Sequence, residues 1–154
     1  MDNIMLHFGY QTSRESFSVL WKQENVSVSF DSEKRRVRFF LSYLSVEYKL
    51  ELSYENIRQI ELHLPSGQAT KFLRIQLHGA PRIYEKHHRD QWVREVDFTP
   101  SFCIGQSSAL CLELPLEGQL PKFHGDFVSY KENEGPFVLK RGSTLFCSSS
   151  LVPI

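Results

Sequence analysis

The chain has no surplus of either charge, and that absence removes the broadest class of partners first. Eighteen Lys and Arg residues balance eighteen Asp and Glu. No overall field therefore draws it to nucleic acid or to an acidic membrane, and any RNA contact has to come from a local patch. Cysteine is scarce: Cys103, Cys111 and Cys147 are an odd number with no Cys-x-x-Cys spacing. That argues against a disulfide framework and a zinc ribbon and suits a reducing, intracellular compartment. Cys103 and Cys111 read as small, buried or half-buried thiols. No apolar run approaches the roughly 20 residues needed to span a bilayer. The start of the chain lacks the basic end and apolar centre of a secretory signal. The expectation is an intracellular protein that is not secreted and has no membrane partner.

The residues of a catalytic centre are missing too. Nucleotidyl transfer needs clustered carboxylates to hold divalent metal, whereas Asp90, Asp97 and Asp126 are isolated in sequence and read as turn or surface residues. Neither Gly-x-x-x-x-Gly-Lys nor Gly-x-Gly-x-x-Gly occurs. Neighbouring histidines such as His87 and His88 point to opposite faces of an extended chain, and His63 and His78 fall on the polar faces of their strands. No catalytic residue, metal ligand or cofactor is expected in this chain.

What is abundant is aromatic and alternating. Hydrophobic residues make up 41% of the chain, with 12 Phe and 6 Tyr, a composition that suits a pleated core. Period-2 patterning marks strands with one buried face. Val26, Val28 and Phe30 form the first stripe; Val37, Phe39, Leu41 and Tyr43 the second, with Phe40 implying partial cover on the opposite face; Val46, Tyr48, Leu50 and Leu52 the third. These three predict an antiparallel meander. Ser53 caps a short helical turn through Asn56. Ile60, Leu62 and Leu64 resume the alternation, Pro65 to Gly67 breaks it, and Leu73, Ile75 and Leu77 carry it on. A short strand follows at Ile83 and Tyr84, then a polar loop from His87 to Asp90. Further strands are expected at Val93–Phe98, Ala109–Leu114 and Phe137–Phe146, a short helix at Pro121–Tyr130, and a frayed tail from Ser148. The sum is one mainly β domain over residues 1–154, structured from about residue 5 to 147. It is expected to be an antiparallel rolled sheet or small barrel with one or two short helices.

Basic residues give the positive signal. Lys34, Arg35, Arg36 and Arg38 crowd one turn and the strand it opens. Arg82, Lys86 and Arg89 form a second group with Tyr84 and Trp92 nearby. Cations interleaved with aromatics hold single-stranded nucleic acid through phosphate contacts and stacking. Glu33, Glu85, Asp90 and Glu95 dilute both groups, so a solvated rim is the simpler alternative.

Several strings resemble one family. They are Tyr48 to Ile57 (Tyr-Lys-Leu-Glu-Leu-Ser-Tyr-Glu-Asn-Ile), Gln59 to His63, Gly79 to Lys86, Phe17 to Trp21, Asp90 to Arg94, Cys103 to Ser107 and Leu110 to Pro115. Together they are similar to the plant RNA-dependent RNA polymerases of gene silencing, most like the clade that serves chromatin-directed small RNAs. The resemblance implies a pleckstrin-homology-like segment ahead of the catalytic core. The family's Asp-x-Asp-Gly-Asp loop and its RNA-recognition-like module are both absent here. It further implies RNA, the remainder of the polymerase and a partner DNA-dependent RNA polymerase as partners, magnesium in the parent enzyme, and a nuclear location. Arg58 stands where the family pattern has Trp, and the loop after Lys86 is short. Two rivals compete: a stand-alone module binding protein or inositol phosphate through Lys34–Arg38, and a lipocalin-type barrel with a ligand-lined interior.

Overall fold

A computed structural model describes residues 1–13, 16–64, 70–115, 137–141 and 146–149. Its strands are β1 (Ile4–Ser13), β2 (Ser16–Asp31), β3 (Arg36–Tyr43), β4 (Val46–Ser53), β5 (Ile57–Leu64), β6 (Thr70–Leu77), β7 (Arg82–Lys86), β8 (Trp92–Glu95), β9 (Ala109–Pro115), β10 (Phe137–Arg141) and β11 (Phe146–Ser149). They form a continuous curled sheet in the order β10-β5-β6-β9-β1-β2-β3-β4-β7-β8, with β11 also on β2. Pairing is antiparallel throughout except where β10 meets β5 and β11 meets β2.

The sheet curls because β2 serves two partners. Its residues from Ser16 to Val26 pair with β1, and those from Ser27 to Asp31 pair with β3. Register irregularities between Ile4 and Leu6, Phe8 and Gly9, and Gln11 and Ser13 increase the local twist. The two halves then close on one core. Leu6 and Phe8 from β1, Leu110 and Leu112 from β9, and Leu73 and Ile75 from β6 meet Phe39, Leu50 and Leu52 from β3 and β4. Each of those side chains is fully buried, so the interior is filled by packed apolar groups. That filling leaves the lipocalin-type reading without support.

An aromatic cluster seals one end of this core. Trp21 meets Tyr43 and Phe98 edge-on at 5.8 and 5.7 Å, and Tyr48 stacks on Phe98 at 3.8 Å. Phe98 was expected in a strand running from Val93, but β8 ends at Glu95. Asp97 ends it, accepting hydrogen bonds from the Thr99 amide at 3.0 Å and the Gly105 amide at 2.8 Å. The chain turns there and delivers Phe98 to the cluster. A one-turn helix, α1 (Cys103–Gln106), follows and plugs Ile104 into the core; four residues are too few to leave a periodic signal.

The meander β2-β3-β4 and the Ser53-capped turn at Tyr54–Asn56 form as expected, with Ser53 Oγ accepting from the Glu55 amide at 3.3 Å. β1 and the first part of β2 were not foreseen, because Lys22 to Asn25 interrupts the apolar alternation. One strand was expected from Phe137 to Phe146; two are present, and Ser148 and Ser149 belong to the second rather than to a frayed tail. The helix at Pro121–Tyr130 and the loop at Pro65–Gly67 lie outside the described residues. Among those described, no helix is long and apolar enough to cross a membrane.

The larger correction concerns β5 and β6. His63 was expected on the polar face of its strand, yet that face is covered: His63, Glu61 and Arg74 are all buried. Register places Glu61 opposite Arg74, where their side chains form an ion pair. The Glu61 carboxylate also accepts from Gln76 Nε2 at 2.9 Å and lies 3.1 Å from His63 Nε2. Further along the same face, Phe17, Val19, Ala109 and Cys111 make a second, smaller apolar cluster. These strands are thus covered on both faces.

His7 on β1 belongs to that covered face and carries a pH prediction. It is 4% exposed, and its Nε2 donates to Glu113 Oε1 at 2.9 Å. Burial lowers its pKa, Glu113 opposes the shift, Lys22 adds to it, and the net direction is down. In the unfolded chain the same histidine titrates near 6.5. The unfolded state therefore binds more protons as pH drops through 6.5, and stability held above that pH is lost on the way down to the folded value. Urea midpoints of the chain should fall between pH 7.5 and 5.5, and His7→Gln should flatten that fall. An unchanged slope in the variant would contradict the buried neutral imidazole.

Candidate nucleic-acid interface

Strand alternation that sends Phe39, Leu50 and Ile83 inward sends their neighbours out. On β3 these are Arg36, Arg38 and Phe40; on β4, Glu47, Lys49 and Glu51; on β7, Arg82, Tyr84 and Lys86; on β8, Trp92 and Arg94. Register lines them up in rows. Phe40 faces Lys49, which faces Tyr84, which faces Arg94; Arg38 faces Glu51, which faces Arg82; Lys86 faces Trp92.

Ring and cation contacts hold the rows together. The Lys49 ammonium lies 4.8 Å from the centre of Tyr84 and 5.1 Å from that of Trp92, and Lys86 approaches Trp92 at 5.9 Å. Arg38 lies 5.7 Å from the Phe40 ring and Arg94 lies 6.0 Å from Tyr84. Trp92 reaches across from the edge strand to within 6.0 Å of Phe40. The partial cover that the sequence implied over Phe40 is this indole.

The first basic group is partly neutralised. Arg36 Nη1 donates to Glu51 Oε1 at 2.6 Å, and its Nε lies 3.4 Å from Asp31 Oδ2. The Glu51 hydrogen bond raises the Arg36 pKa against a smaller effect of burial. Burial alone would push Glu51 up, but Arg36 and Lys49 outweigh it and hold the carboxyl below its usual range. Asp31 is lowered, first by the hydrogen bond it accepts from the Lys34 amide and then by Arg36 and Arg38. Lys34 and Arg35 occupy the exposed turn; Arg35 adopts φ 52° and places its guanidinium 5.6 Å from the Tyr54 ring. Arg38 Nη2 donates to Ser29 Oγ at 3.3 Å.

Arg82 changes company. Grouped by sequence with Lys86 and Arg89, it joins the first cluster in space, because β7 sets it opposite Glu51. Lys34, Arg35, Arg36 and Arg82 line one hollow of about 320 Å³ with Glu51 and Glu55. Lys86 bonds Glu47 and Asp90 at 3.2 and 3.3 Å, which raises its pKa. Arg89 sits exposed in the turn His88–Asp90 at φ 63°, and among the described residues no contact ties it to the face. Sequence reasoning left Lys49 and Arg94 out of the site. Their outward parity was visible, but only register shows that they abut Tyr84.

Among the described residues, one group could hold a metal ion. Glu85, His87 and Glu95 bring ligand atoms within 4.8 Å of one another, with His87 Nε2 at 3.7 and 3.9 Å from the two carboxylates. They are one histidine and two glutamates on the β7–β8 edge. This is not the three-aspartate loop of a nucleotidyl transferase, and no Asp-x-Asp-Gly-Asp occurs in the sequence. The residues present do not fit the catalytic magnesium that the resemblance implies for the parent enzyme.

Comparison with known proteins supplies the context for this face. The chain is 40% identical to RNA-dependent RNA polymerase 1 of Arabidopsis thaliana over 173 residues and 26% identical to RNA-dependent RNA polymerase 2 of the same plant over 176. Both alignments cover all of this chain and 16% of the relative. A probable RNA-dependent RNA polymerase 2 of Oryza sativa subsp. japonica is 26% identical over 141 residues, covering 79% of this chain and 12% of the relative. The chain thus spans less than a fifth of the length of these curated relatives. Arg58, the departure from the family pattern, is exposed beside an irregularity in β5. The family model described as the RDR2 PH-like domain matches residues 6–138; a curled, mainly antiparallel sheet with one short helix is the corresponding fold, and the chain belongs to that family.

Proposed function

We propose that this chain is the non-catalytic N-terminal accessory domain of an RNA-dependent RNA polymerase that makes double-stranded RNA for gene silencing. It braces the catalytic body and guides RNA toward it along the outer face of β3, β4, β7 and β8. The observation that carries the reading is the family match over residues 6–138 of a chain that spans 16% of its polymerase relatives. In this reading the magnesium-dependent chemistry belongs to the polymerase body. A DNA-dependent RNA polymerase is the further partner, and the nucleus is the place of work.

Incubating the purified chain with RNA template, nucleotides and magnesium tests the non-catalytic part. The expected result is no incorporation. Incorporation that a substitution in this chain abolishes would overturn the assignment. RNA affinity measured by gel shift should fall steeply from low to moderate salt, as phosphate contacts release counterions; a flat salt response would leave bracing alone.

A second reading is favoured by one observation, the hollow lined by Lys34, Arg35, Arg36 and Arg82 at the β2–β3 turn. Four cations around two carboxylates suit a phosphorylated ligand, and an inositol phosphate has that chemistry. Sedimentation with phosphoinositide vesicles decides. Binding that Arg35→Glu and Arg36→Glu remove, without any RNA affinity, would favour a stand-alone interaction module.

A further inference from the structure

The outer face contains a second hollow, at the opposite end from the arginine turn and different in character. Its volume is about 390 Å³, and it lies between β2, β3 and the edge strand β8. Phe40 and Trp92 form an aromatic wall, with ring centres 6.0 Å apart and planes inclined at 54°. Gln23, Asn25 and Ser42 supply amide and hydroxyl groups around it, and Lys86 also lines it. We propose that this hollow takes one unstacked base of single-stranded RNA, stacked against Trp92 and read along its edge by the amide side chains of β2. The proposal rests on the reading that the domain handles RNA and deepens it.

Three features support the assignment. First, the size lies within the range of small-ligand sites, and a mostly polar lining around two aromatic rings suits a base, which is flat and carries donors and acceptors on its edge. Second, Trp92 is packed on one side: Lys49 and Lys86 lie 5.1 and 5.9 Å from the indole centre and Phe40 lies 6.0 Å away. These contacts reduce the side-chain ordering that stacking would otherwise cost. Asn25 sits at φ 56° within β2, so the strand irregularity turns this part of the backbone beside the pocket. Gln23 Nε2 donates to the Ser42 carbonyl at 3.1 Å and the Glu24 carbonyl at 3.3 Å. Its own amide oxygen then faces no donor among the described residues and is available to accept from a base.

Third, charge orients the ligand. Glu24 and Glu47 lie on the rim, where they repel phosphate, and Glu47 is already paired with Lys86. Lys86 is engaged by Glu47 and Asp90, whereas Arg94 packs over Tyr84 two residues along β8 from Trp92; a backbone phosphate is drawn toward that side, so the base enters and the backbone stays outside. A duplex cannot meet that demand, because its bases are stacked and its edges paired. The chemistry selects single strands.

The test uses this chain and a short fluorescent RNA of mixed sequence, single-stranded or annealed to its complement, with anisotropy as the readout. The single strand should bind, and the duplex at least about tenfold more weakly. Trp92→Ala should weaken single-strand binding about tenfold or more, the usual effect of removing one stacking ring, while Trp92→Phe keeps most of the affinity. Trp92 is on an edge strand and Trp21 is in the core, so far-UV circular dichroism separates a lost contact from a lost fold. Equal affinity for both RNAs, no binding, or a full-affinity Trp92→Ala variant with native dichroism would each overturn the pocket. Capture by phosphoinositide vesicles in place of RNA would do the same. Failure of the pocket alone, with salt-dependent RNA binding kept, leaves the accessory reading whole; loss of all RNA binding leaves its bracing part, which is read by nucleotide incorporation with and without the domain.

Discussion

Replacing Arg74 by Met should lower the stability of this domain by about 3–5 kcal/mol, the cost of stranding one member of a buried ion pair. Arg74 is fully buried on β6, and Glu61, its partner on β5, is 3% exposed. Methionine fills much of the arginine's volume, so the loss is electrostatic and not a cavity. For a chain of this size the expected fall in Tm is about 10 °C. The double change Arg74→Met with Glu61→Leu should recover most of it, because a buried pair exchanged whole for apolar groups is often nearly neutral. A single variant as stable as the parent would show that the Glu61 carboxylate is not confined between β5 and β6.

Among the described glycines, Gly9→Ala should be the most damaging added methyl. Gly9 lies on β1 between β9 and β2. A Cβ there would overlap the carbonyl oxygen of Ser18 and stand 2.9 Å from its carbonyl carbon. Both are backbone atoms, so no rotamer relieves the overlap; the strands must part or the register must change. Overpacking of this kind costs about 1–3 kcal/mol and sometimes more. Here it falls in the middle of the sheet, where the Gly9 carbonyl also accepts the Ser108 amide at 2.9 Å. Gly105→Ala is the control, since its added carbon would meet only Asp97 Oδ2 at 3.4 Å. Urea denaturation compares the two directly. Equal midpoints would contradict the pairing of β1 with β2.

The inward-facing half of the fold was legible because its alternation is strict. Val37, Phe39, Leu41, Leu50, Leu52, Ile60, Leu62, Leu73, Ile75, Leu110 and Leu112 all lie where period 2 puts them. What failed was the inference that the intervening residues face water. Glu61, His63 and Arg74 satisfy one another across β5 and β6, so a polar string there marks a covered face. A single sequence shows residue types but not their cross-strand partners. The first part of β2 was hidden for a related reason: the polar stretch from Lys22 to Asn25 leads the strand from one partner to the other, and alternation is not continuous across that change. At the candidate site, Arg36 and Arg38 share a face as their spacing requires. The alliance of Arg82 with Arg36 through Glu51, and of Lys49 with Tyr84 and Trp92, depends on register. Register is a property of paired strands, and neither strand carries it alone.

The most direct measurement of the accessory-domain reading is a chimera. In Arabidopsis RNA-dependent RNA polymerase 1, which is 40% identical to this chain over its matching segment, that segment is replaced by these 154 residues. Template-directed nucleotide incorporation is then compared with the unaltered polymerase and with a version lacking the segment. Deletion should abolish or sharply reduce incorporation, and the replacement should restore it. Full activity of the deleted enzyme, or a well-folded chimera that stays inactive, would contradict that reading.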